Sequence, residues 1–179
     1  FNTGAALDFI GGTYAAALAT ADIDYDLLFG PAYKGIPLVS VTAAALHNRH
    51  GINKPYCFNR KEAKDHGEGG LTVGAPLQGR ALIVDDVITA GTAVREVMDL
   101  FERTGTEPAG IIVALDRQER GTGSKSAIQE IEEQYQIPVL SIISLAQIIE
   151  YLSRQDDPAL ASNLEAVKRY RDEYGVSSD

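Results

Sequence analysis

Two adjacent carboxylates at the end of an apolar run are the first residues in this sequence whose positions suggest chemistry. Asp85 and Asp86 follow "ALIV" (81–84), which reads as a buried strand. Successive strand residues point to opposite faces, so an adjacent pair is an awkward chelate for one metal ion. Two carboxylates that accept hydrogen bonds from the vicinal hydroxyls of a ribose are a better interpretation. The alternative is that one aspartate caps the following helix and the other has a structural partner.

The segment after the acidic pair predicts an anion site. "TAGTA" (89–93) consists of small residues and lies between the strand and a helical pattern. A helix N-terminus offers exposed N–H groups and the positive end of the helix dipole, which suit a phosphate monoester. Thr89 and Thr92 add hydroxyl donors, and Gly91 permits close approach. The loop is no Walker motif, since GxxxxGK[ST] is absent from the sequence, and so is GxGxxG.

A second strand-to-helix turn presents a cation. In "GPAYKG" (30–35) a strand ends, Tyr33 and Lys34 follow, and a helix begins at Gly35. Backbone N–H groups beside a lysine suit a second anion, for which pyrophosphate is the obvious candidate. The alternative is an ordinary turn with a solvated lysine.

A polar, glycine-rich stretch at 60–80 contrasts with the rest of an acidic chain. Its first part, "NRKEAKDHGEGG", clusters four basic side chains, namely Arg60, Lys61, Lys64 and His66. A basic segment hinged by glycines predicts a mobile loop over about 60–78 that closes on an anionic substrate and excludes water. A disordered surface loop is the alternative.

A fourth group of candidates follows another strand, in "LDRQERG" (115–121). Arg117 lies at the strand tip, and its planar, permanently charged guanidinium suits a carboxylate ligand. A salt bridge to a nearby aspartate would explain the arginine equally well.

The elements that carry these loops alternate along the chain. Apolar runs read as strands at 25–30, 55–59, 81–86, 109–117 and 138–144, and longer periods read as helices at 5–20, 35–50, 93–105, 126–136, 145–154 and 158–175. Strands that are apolar on both faces and alternate with helices indicate a parallel sheet covered on each side. We therefore predict the α/β class and one domain over residues 1–179, with ligands beyond the carboxyl ends of the strands.

Composition narrows the class of protein further. The 179 residues are 45% hydrophobic and carry a net charge of −9, which fits a globular core and disfavours nucleic acid as a partner. The single cysteine, Cys57, reads as a small apolar residue and favours a cytoplasmic location. No apolar run is long enough to span a bilayer, so no membrane partner is expected.

"LIVDDVITAGTA" resembles the 5-phosphoribosyl 1-pyrophosphate (PRPP) signature of the type I phosphoribosyltransferases. The resemblance implies that family's fold, a mostly parallel sheet flanked by helices, and it gives the ribose hydroxyls to Asp85 and Asp86. It also implies that the loop holds the 5-phosphate and that Tyr33 and Lys34 hold pyrophosphate. The PRPP-binding residues expected in the signature are Asp85, Asp86, Val87, Ile88, Thr89, Ala90, Gly91, Thr92 and Ala93.

"FNRKEAKDHGEGG" is similar to the catalytic loop of the orotate phosphoribosyltransferases within that family. This resemblance implies transfer of the phosphoribosyl group from PRPP to orotate, which gives orotidine 5-monophosphate and pyrophosphate in pyrimidine synthesis. Arg60, Lys61, Lys64 and His66 would then bind PRPP and act in catalysis together with the acidic pair. The resemblance further implies orotate contacts by Thr89 and Arg117, a homodimer that shares the loop between subunits, and Mg²⁺ held mainly by PRPP and water.

The same resemblance predicts a small hood over the site, formed in part by a segment upstream of Phe1 that would carry a lysine and an aromatic pair. Two other functions on this fold stay open: a purine phosphoribosyltransferase and a non-catalytic, PRPP-sensing regulator. Arg117 and the basic loop argue against the first, and the acidic composition argues against the second. A phosphatase that uses Asp85 as nucleophile is disfavoured because Asp85 lacks the DxD spacing of such enzymes, since residue 87 is a valine.

Overall fold

A central sheet organises the chain. The computed structural model describes residues 2–64, 70–89, 91–121, 123–155 and 157–176, and of residues 61–64, 70, 158, 159 and 161 it describes the backbone alone. Within these ranges six strands form one sheet in the order β3-β2-β1-β4-β5-β6. The strands are β1 (Leu27–Gly30), β2 (Tyr56–Lys64), β3 (Gly70–Gly74), β4 (Arg80–Val84), β5 (Glu107–Asp116) and β6 (Val139–Ser144). All neighbours are parallel except β2 and β3.

Helices cover both faces of the sheet. They are α1 (Gly4–Thr20), α2 (Gly35–His50), α3 (Thr92–Thr104), α4 (Ala127–Tyr135), α5 (Leu145–Ser153) and α6 (Pro158–Tyr174). Helices α1 and α2 share one apolar cluster with Leu28, Leu82 and Ile112, whereas α3 and α4 share the other with Phe29 and Ile83. Consecutive residues of β1 and β4 thus enter opposite cores, as the pleat of a strand requires. The predicted α/β class with a mostly parallel sheet is confirmed.

The strand order creates a natural ligand crevice. The chain runs from β1 outward to β2 and β3, then returns to place β4 on the other side of β1. Connections that leave in opposite directions open a gap beyond the carboxyl ends of the two strands, and open α/β sheets bind ligands there. The turn after β1 and the acidic pair after β4 both lie at this point.

The polar stretch at 60–80, which interrupts the predicted pattern of strands and helices, contains parts of two strands. Strand β2 continues to Lys64, past the predicted end at residue 59, and β3 returns beside it as an antiparallel partner. Main-chain pairing extends these strands although their sequence is polar, which a search for apolar runs overlooks. Residues 65–69 lie outside the described residues, and the proposed mobility of the loop stays a prediction.

Two further observations concern Cys57 and the hydropathy of the helices. Cys57 lies in the core, and burial raises the pKa of its thiol to about 12, in agreement with its role as an apolar residue. No described helix has both the length and the hydropathy needed to cross a membrane.

Candidate active site

The turn after β1 is braced from two sides. The Ala32 N–H donates to Asn59 Oδ1 of β2 at 2.7 Å, and the Gly35 N–H donates to the Pro31 carbonyl at 2.9 Å. A Cβ built on Gly35 would lie 2.9 Å from the carbonyl oxygen of Val84, so only glycine lets this turn pack on the end of β4. The side chain of Tyr33 is left 67% exposed.

Lys34 links this turn to the acidic pair. Its Nζ lies 2.6 Å from Asp86 Oδ2, although 77% of the lysine side chain is exposed. The hydrogen bond to Asp86 raises the pKa of Lys34, so the ammonium stays charged. The predicted pyrophosphate residue and one predicted ribose residue are therefore in direct contact, and the lysine is more than a solvated turn residue.

Hydrogen bonds to its main-chain groups hold Asp85 in place. Its carbonyl accepts a hydrogen bond from the buried hydroxyl of Tyr14 at 2.7 Å, and its N–H donates to the Ile112 carbonyl at 3.0 Å. The Asp85 carboxylate accepts from the Asp86 N–H at 2.9 Å. Burial raises the pKa of Asp85 to about 6, and the Asp86 charge adds to the rise while that hydrogen bond opposes it.

Asp86 also accepts hydrogen bonds from backbone N–H groups. Its Oδ1 accepts from the Val87 N–H at 2.9 Å, and its carbonyl accepts from the Ala114 N–H of β5 at 2.8 Å. The alternative that one aspartate caps the next helix is wrong, because the N-cap residue of α3 is Gly91. Strand β4 ends at Val84, so both aspartates lie just beyond the carboxyl end of the strand.

The small-residue loop forms the N-terminal end of α3. Gly91 has φ +68°, and its carbonyl accepts the first helical hydrogen bond, from the Arg95 N–H at 3.0 Å. Thr89, Thr92 and Ala93 are exposed, and Ala90 lies outside the described residues. A cavity of about 320 Å³ opens here, lined by Ala32, Asp85, Val87, Ile88, Thr89, Gly91, Thr92, Ala93, Val94 and Glu96. Most of the predicted PRPP loop thus lines the same cavity as Asp85.

Arg60 lies beside this cavity. A neighbouring space of about 370 Å³ is lined by Arg60 and Asn59 and shares Ala32 and Ala93 with the first cavity. The backbone of Lys61 and Lys64 continues in β2. His66 lies outside the described residues.

Arg117 directly follows β5 and forms an ion pair there. Its Nη2 lies 3.1 Å from Glu119 Oε2, so the expected alternative of a salt bridge is realised, with a glutamate instead of an aspartate. Arg117 lines a separate cavity of about 300 Å³ with Glu119, Arg120, Tyr170 and Tyr174. The parallel bridge between Val87 and Leu115 nevertheless sets the two loops side by side.

The acidic pair also decides how Mg²⁺ fits. Its two carboxylates are the hard oxygen donors that Mg²⁺ takes, but Asp86 is already paired with Lys34. In the described part of the chain no group of three or more His, Cys, Asp or Glu side chains lies close enough to hold a metal. This donor set fits an ion that keeps its waters and takes most other ligands from its substrate.

Three residues that hold the site were not singled out from the sequence. Tyr14 lies in an alanine-rich helix and shows no signal of a polar role, because its hydroxyl finds Asp85 across the fold. Asn59 closes the predicted strand at 55–59, where a polar residue next to the crevice was a usable signal. Tyr170 contacts the Arg117 loop from a helix more than 50 residues later, a distance that no local pattern spans.

Comparisons with known proteins place this chain in a family. The sequence profile described as "Phosphoribosyl transferase domain" matches residues 5–138. An orotate phosphoribosyltransferase of Hahella chejuensis is 60% identical over 178 residues, which are 99% of this chain and 82% of that protein. One from Pseudomonas putida strain F1 is 57% identical over 176 residues, covering 98% and 82%.

A solved structure extends the comparison to the fold. The crystal structure of the Francisella tularensis orotate phosphoribosyltransferase superposes with a TM-score of 0.85 at 38% identity, covering 98% of this chain and 83% of the other.

Proposed function

Because the chain belongs to the phosphoribosyltransferase family, and within it to the orotate phosphoribosyltransferases, we propose that the crevice between β1 and β4 joins orotate to PRPP. A ring nitrogen of orotate that has lost its proton attacks the anomeric carbon, pyrophosphate leaves with the electron pair of the broken C–O bond, and orotidine 5-monophosphate forms. The observation that carries this proposal is the cavity lined by both Asp85 and the loop at the start of α3.

The proposed roles follow the chemistry of each group. Asp85 and Asp86 accept hydrogen bonds from the ribose hydroxyls, and the loop with Thr89, Gly91 and Thr92 donates to the 5-phosphate. The turn with Tyr33 and Lys34 binds pyrophosphate, supported by the 2.6 Å contact that puts Lys34 beside Asp86. Arg117 binds the carboxylate of orotate as a planar fork, with Thr89 near the ring.

The transition state places positive charge on the sugar and negative charge on the leaving pyrophosphate. Positioning and fixed cations should therefore supply most of the acceleration. Arg60 is the best supported of the four basic candidates of the 60–78 loop, because it lines the cavity next to the phosphate loop. Lys61, Lys64 and His66 join it in the proposal when the loop closes.

Magnesium has a limited protein contribution in this proposal. A bound Mg²⁺ would neutralise charge on the pyrophosphate, and Asp85 and Asp86 are the carboxylates that could contribute to its binding. Most of its ligands would be oxygens of PRPP and water, in keeping with the lack of a larger ligand cluster among the described residues.

We propose a cytoplasmic homodimer in which the 60–78 loop of one subunit serves the partner's crevice. One buried free cysteine supports the location. Likeness to the orotate enzymes supports the shared loop.

The decisive assay follows the ultraviolet absorbance of orotate in the presence of PRPP, Mg²⁺ and the full-length protein. We expect the orotate band to disappear with the parent and to persist with Lys64→Ala and Asp86→Asn. Lys168→Ala, which removes an exposed lysine paired with Glu165 on α6, is the control for loss of one positive charge.

Each outcome has a clear meaning. Persistence of the band with the parent, while PRPP still binds in calorimetry, would overturn the choice of orotate, and adenine and hypoxanthine would be tested next. Full activity of Lys64→Ala would remove that lysine from the mechanism and leave the reaction intact.

A further inference from the structure

The arginine proposed to bind orotate is itself held by a chain of contacts from the far end of the protein. Arg117 Nη2 contacts Glu119 Oε2 at 3.1 Å, and the hydroxyl of Tyr170 donates a hydrogen bond to the other oxygen, Oε1. Arg117 Nε is buried and has no hydrogen-bond partner within the described ranges. The ion pair with Glu119 is therefore the contact that orients this guanidinium.

Main-chain hydrogen bonds fix the position of Tyr170, which binds Glu119. Residues 118–120, directly after Arg117, pair with residues 174–176 at the end of α6 as an antiparallel bridge. The Arg120 N–H donates to the Tyr174 carbonyl at 2.9 Å, and the Val176 N–H donates to the Gln118 carbonyl at 3.0 Å. Helix α6 thus presents Tyr170 to Glu119 at a fixed distance.

We infer that Glu119, held by Tyr170, is a positioning residue that sets the orientation of Arg117 for the carboxylate of orotate. The inference rests on the proposed function, in which Arg117 is the carboxylate-binding residue.

Two physical effects follow from this arrangement. Tyr170 holds Glu119 through one carboxylate oxygen while the other contacts Arg117, which restricts the orientations of the guanidinium, and a planar fork binds a second carboxylate well only in a suitable orientation. Tyr170 also occupies Oε1, so Glu119 contacts Arg117 through one oxygen and leaves Nη1 and the second hydrogen of Nη2 for a ligand, whereas Nε is buried. The side chain of Arg117 is 32% exposed, which gives such a ligand access.

The hydroxyl of Tyr170 is suited to the role of a permanent donor. Its hydrogen bond to Glu119 is the main cause that raises the pKa of Tyr170, so the phenol stays protonated at neutral pH. Replacing the tyrosine by phenylalanine would free Oε1 and would allow Glu119 to take two nitrogens of Arg117, in competition with orotate.

The test compares Tyr170→Phe, Glu119→Gln and Glu119→Ala with the parent. Tyr151→Phe is the matched control, since it removes an exposed tyrosine hydroxyl from the neighbouring helix α5. Two readouts isolate the carboxylate: the KM for orotate against the KM for PRPP, and the ratio of affinities for orotidine 5-monophosphate and uridine 5-monophosphate, which lacks the carboxylate.

We expect Tyr170→Phe to raise the KM for orotate roughly three- to ten-fold and to lower the affinity ratio by the same factor, because one hydrogen bond to a charged group is lost. The KM for PRPP and kcat should stay within about two-fold of the parent. Glu119→Ala should have the larger effect, and Glu119→Gln, which keeps an acceptor oxygen, should restore part of the loss.

Unchanged affinity ratios in Tyr170→Phe and Glu119→Ala, beside a high ratio in the parent, would overturn the inference and leave the proposed function standing. Equal rises in both KM values would overturn it as well, since they would indicate general damage. A parent that binds both nucleotides equally would instead remove Arg117 from carboxylate recognition, and the proposed use of this arginine would fail together with the inference.

Discussion

The proposed function of Asp85 needs an ionised carboxyl group, whereas burial of that group favours its neutral form. Binding of ribose hydroxyls needs an ionised acceptor, yet burial raises the pKa of this carboxyl from its ordinary value to about 6. A carboxyl whose pKa is higher in the folded than in the unfolded protein contributes stability at low pH. That contribution is lost as the pH rises through the folded value of about 6.

Asp85→Asn should therefore stabilise the ligand-free protein at pH 8 by about 1–2 kcal/mol, a value reduced for partial exposure of the site. The asparagine oxygen still accepts from the Asp86 N–H, so the backbone geometry is kept. The gain should shrink steadily between pH 6 and pH 4, and urea unfolding at several pH values measures it.

The same variant should bind PRPP more weakly at pH 8, as calorimetry in the presence of Mg²⁺ would detect. An asparagine variant that is less stable than the parent at every pH would contradict the assignment of the raised pKa to Asp85.

Tyr14 should influence PRPP through the carbonyl of Asp85, without touching the substrate. Tyr14→Phe removes the 2.7 Å hydrogen bond and should cost about 1–2 kcal/mol of unfolding free energy, together with a higher KM for PRPP. Tyr25→Phe is the control, because Tyr25 is another buried tyrosine of the same apolar cluster. An equal change of the KM for PRPP in both variants would argue against a specific role for Tyr14.

At the scale of elements, helix α3 offers a matched pair of glycines. Gly91 at its start and Gly105 at its end have φ values of +68° and +69°. A Cβ at Gly91 would lie 3.1 Å from Arg95 Nη1 and 3.2 Å from Ile131 Cδ1, whereas a Cβ at Gly105 would have nothing within 4 Å. Both ends thus require a left-handed backbone. They differ in their surroundings and in their distance from the 320 Å³ cavity at the start of α3, which is called the phosphate cavity below.

Gly91→Ala and Gly105→Ala should each cost about 1–2 kcal/mol of stability through left-handed backbone strain. Only Gly91→Ala should also weaken PRPP binding, because its Cβ displaces neighbours of the phosphate cavity. Thermal unfolding and calorimetric titration with PRPP separate the two effects. Loss of PRPP affinity in Gly105→Ala would show that helix stability, and not the loop, controls binding.

The elements themselves were largely predictable from sequence. Helix α2 has its predicted bounds of 35 and 50, and most other elements differ by one or two residues, because the apolar periods record which residues face the two cores. Strand β3 and the extension of β2 could not be found in this way, since main-chain pairing holds a polar hairpin. The contact of Arg117 with Glu119 was only half predictable, because Tyr170, which fixes the glutamate, comes from a distant helix.

At the scale of the whole molecule, the proposed sharing of the 60–78 loop between two subunits predicts complementation between inactive subunits. In a mixture of Asp85→Asn and Lys64→Ala chains, a mixed dimer would hold one crevice with a native Asp85 and a native loop from the partner. Equal mixing should form mixed dimers in about half of the population with one working site each, and so restore about a quarter of the parent activity. The orotate assay after unfolding and refolding the mixture measures this fraction.

Each variant refolded alone provides the control for that experiment. Activity that does not rise on mixing, although gel filtration shows dimers, would indicate that each subunit uses its own loop.

The pairing of residues 118–120 with residues 174–176 has a practical side for protein production. A purification tag or fusion partner joined soon after Val176 would disturb the pairing of residues 174–176 with the segment next to Arg117. A flexible Gly/Ser spacer of about ten residues would separate such an attachment by a root-mean-square distance of roughly 15–20 Å. Tagged preparations without a spacer would then underestimate the affinity for orotate, and removal of the tag by protease would restore it.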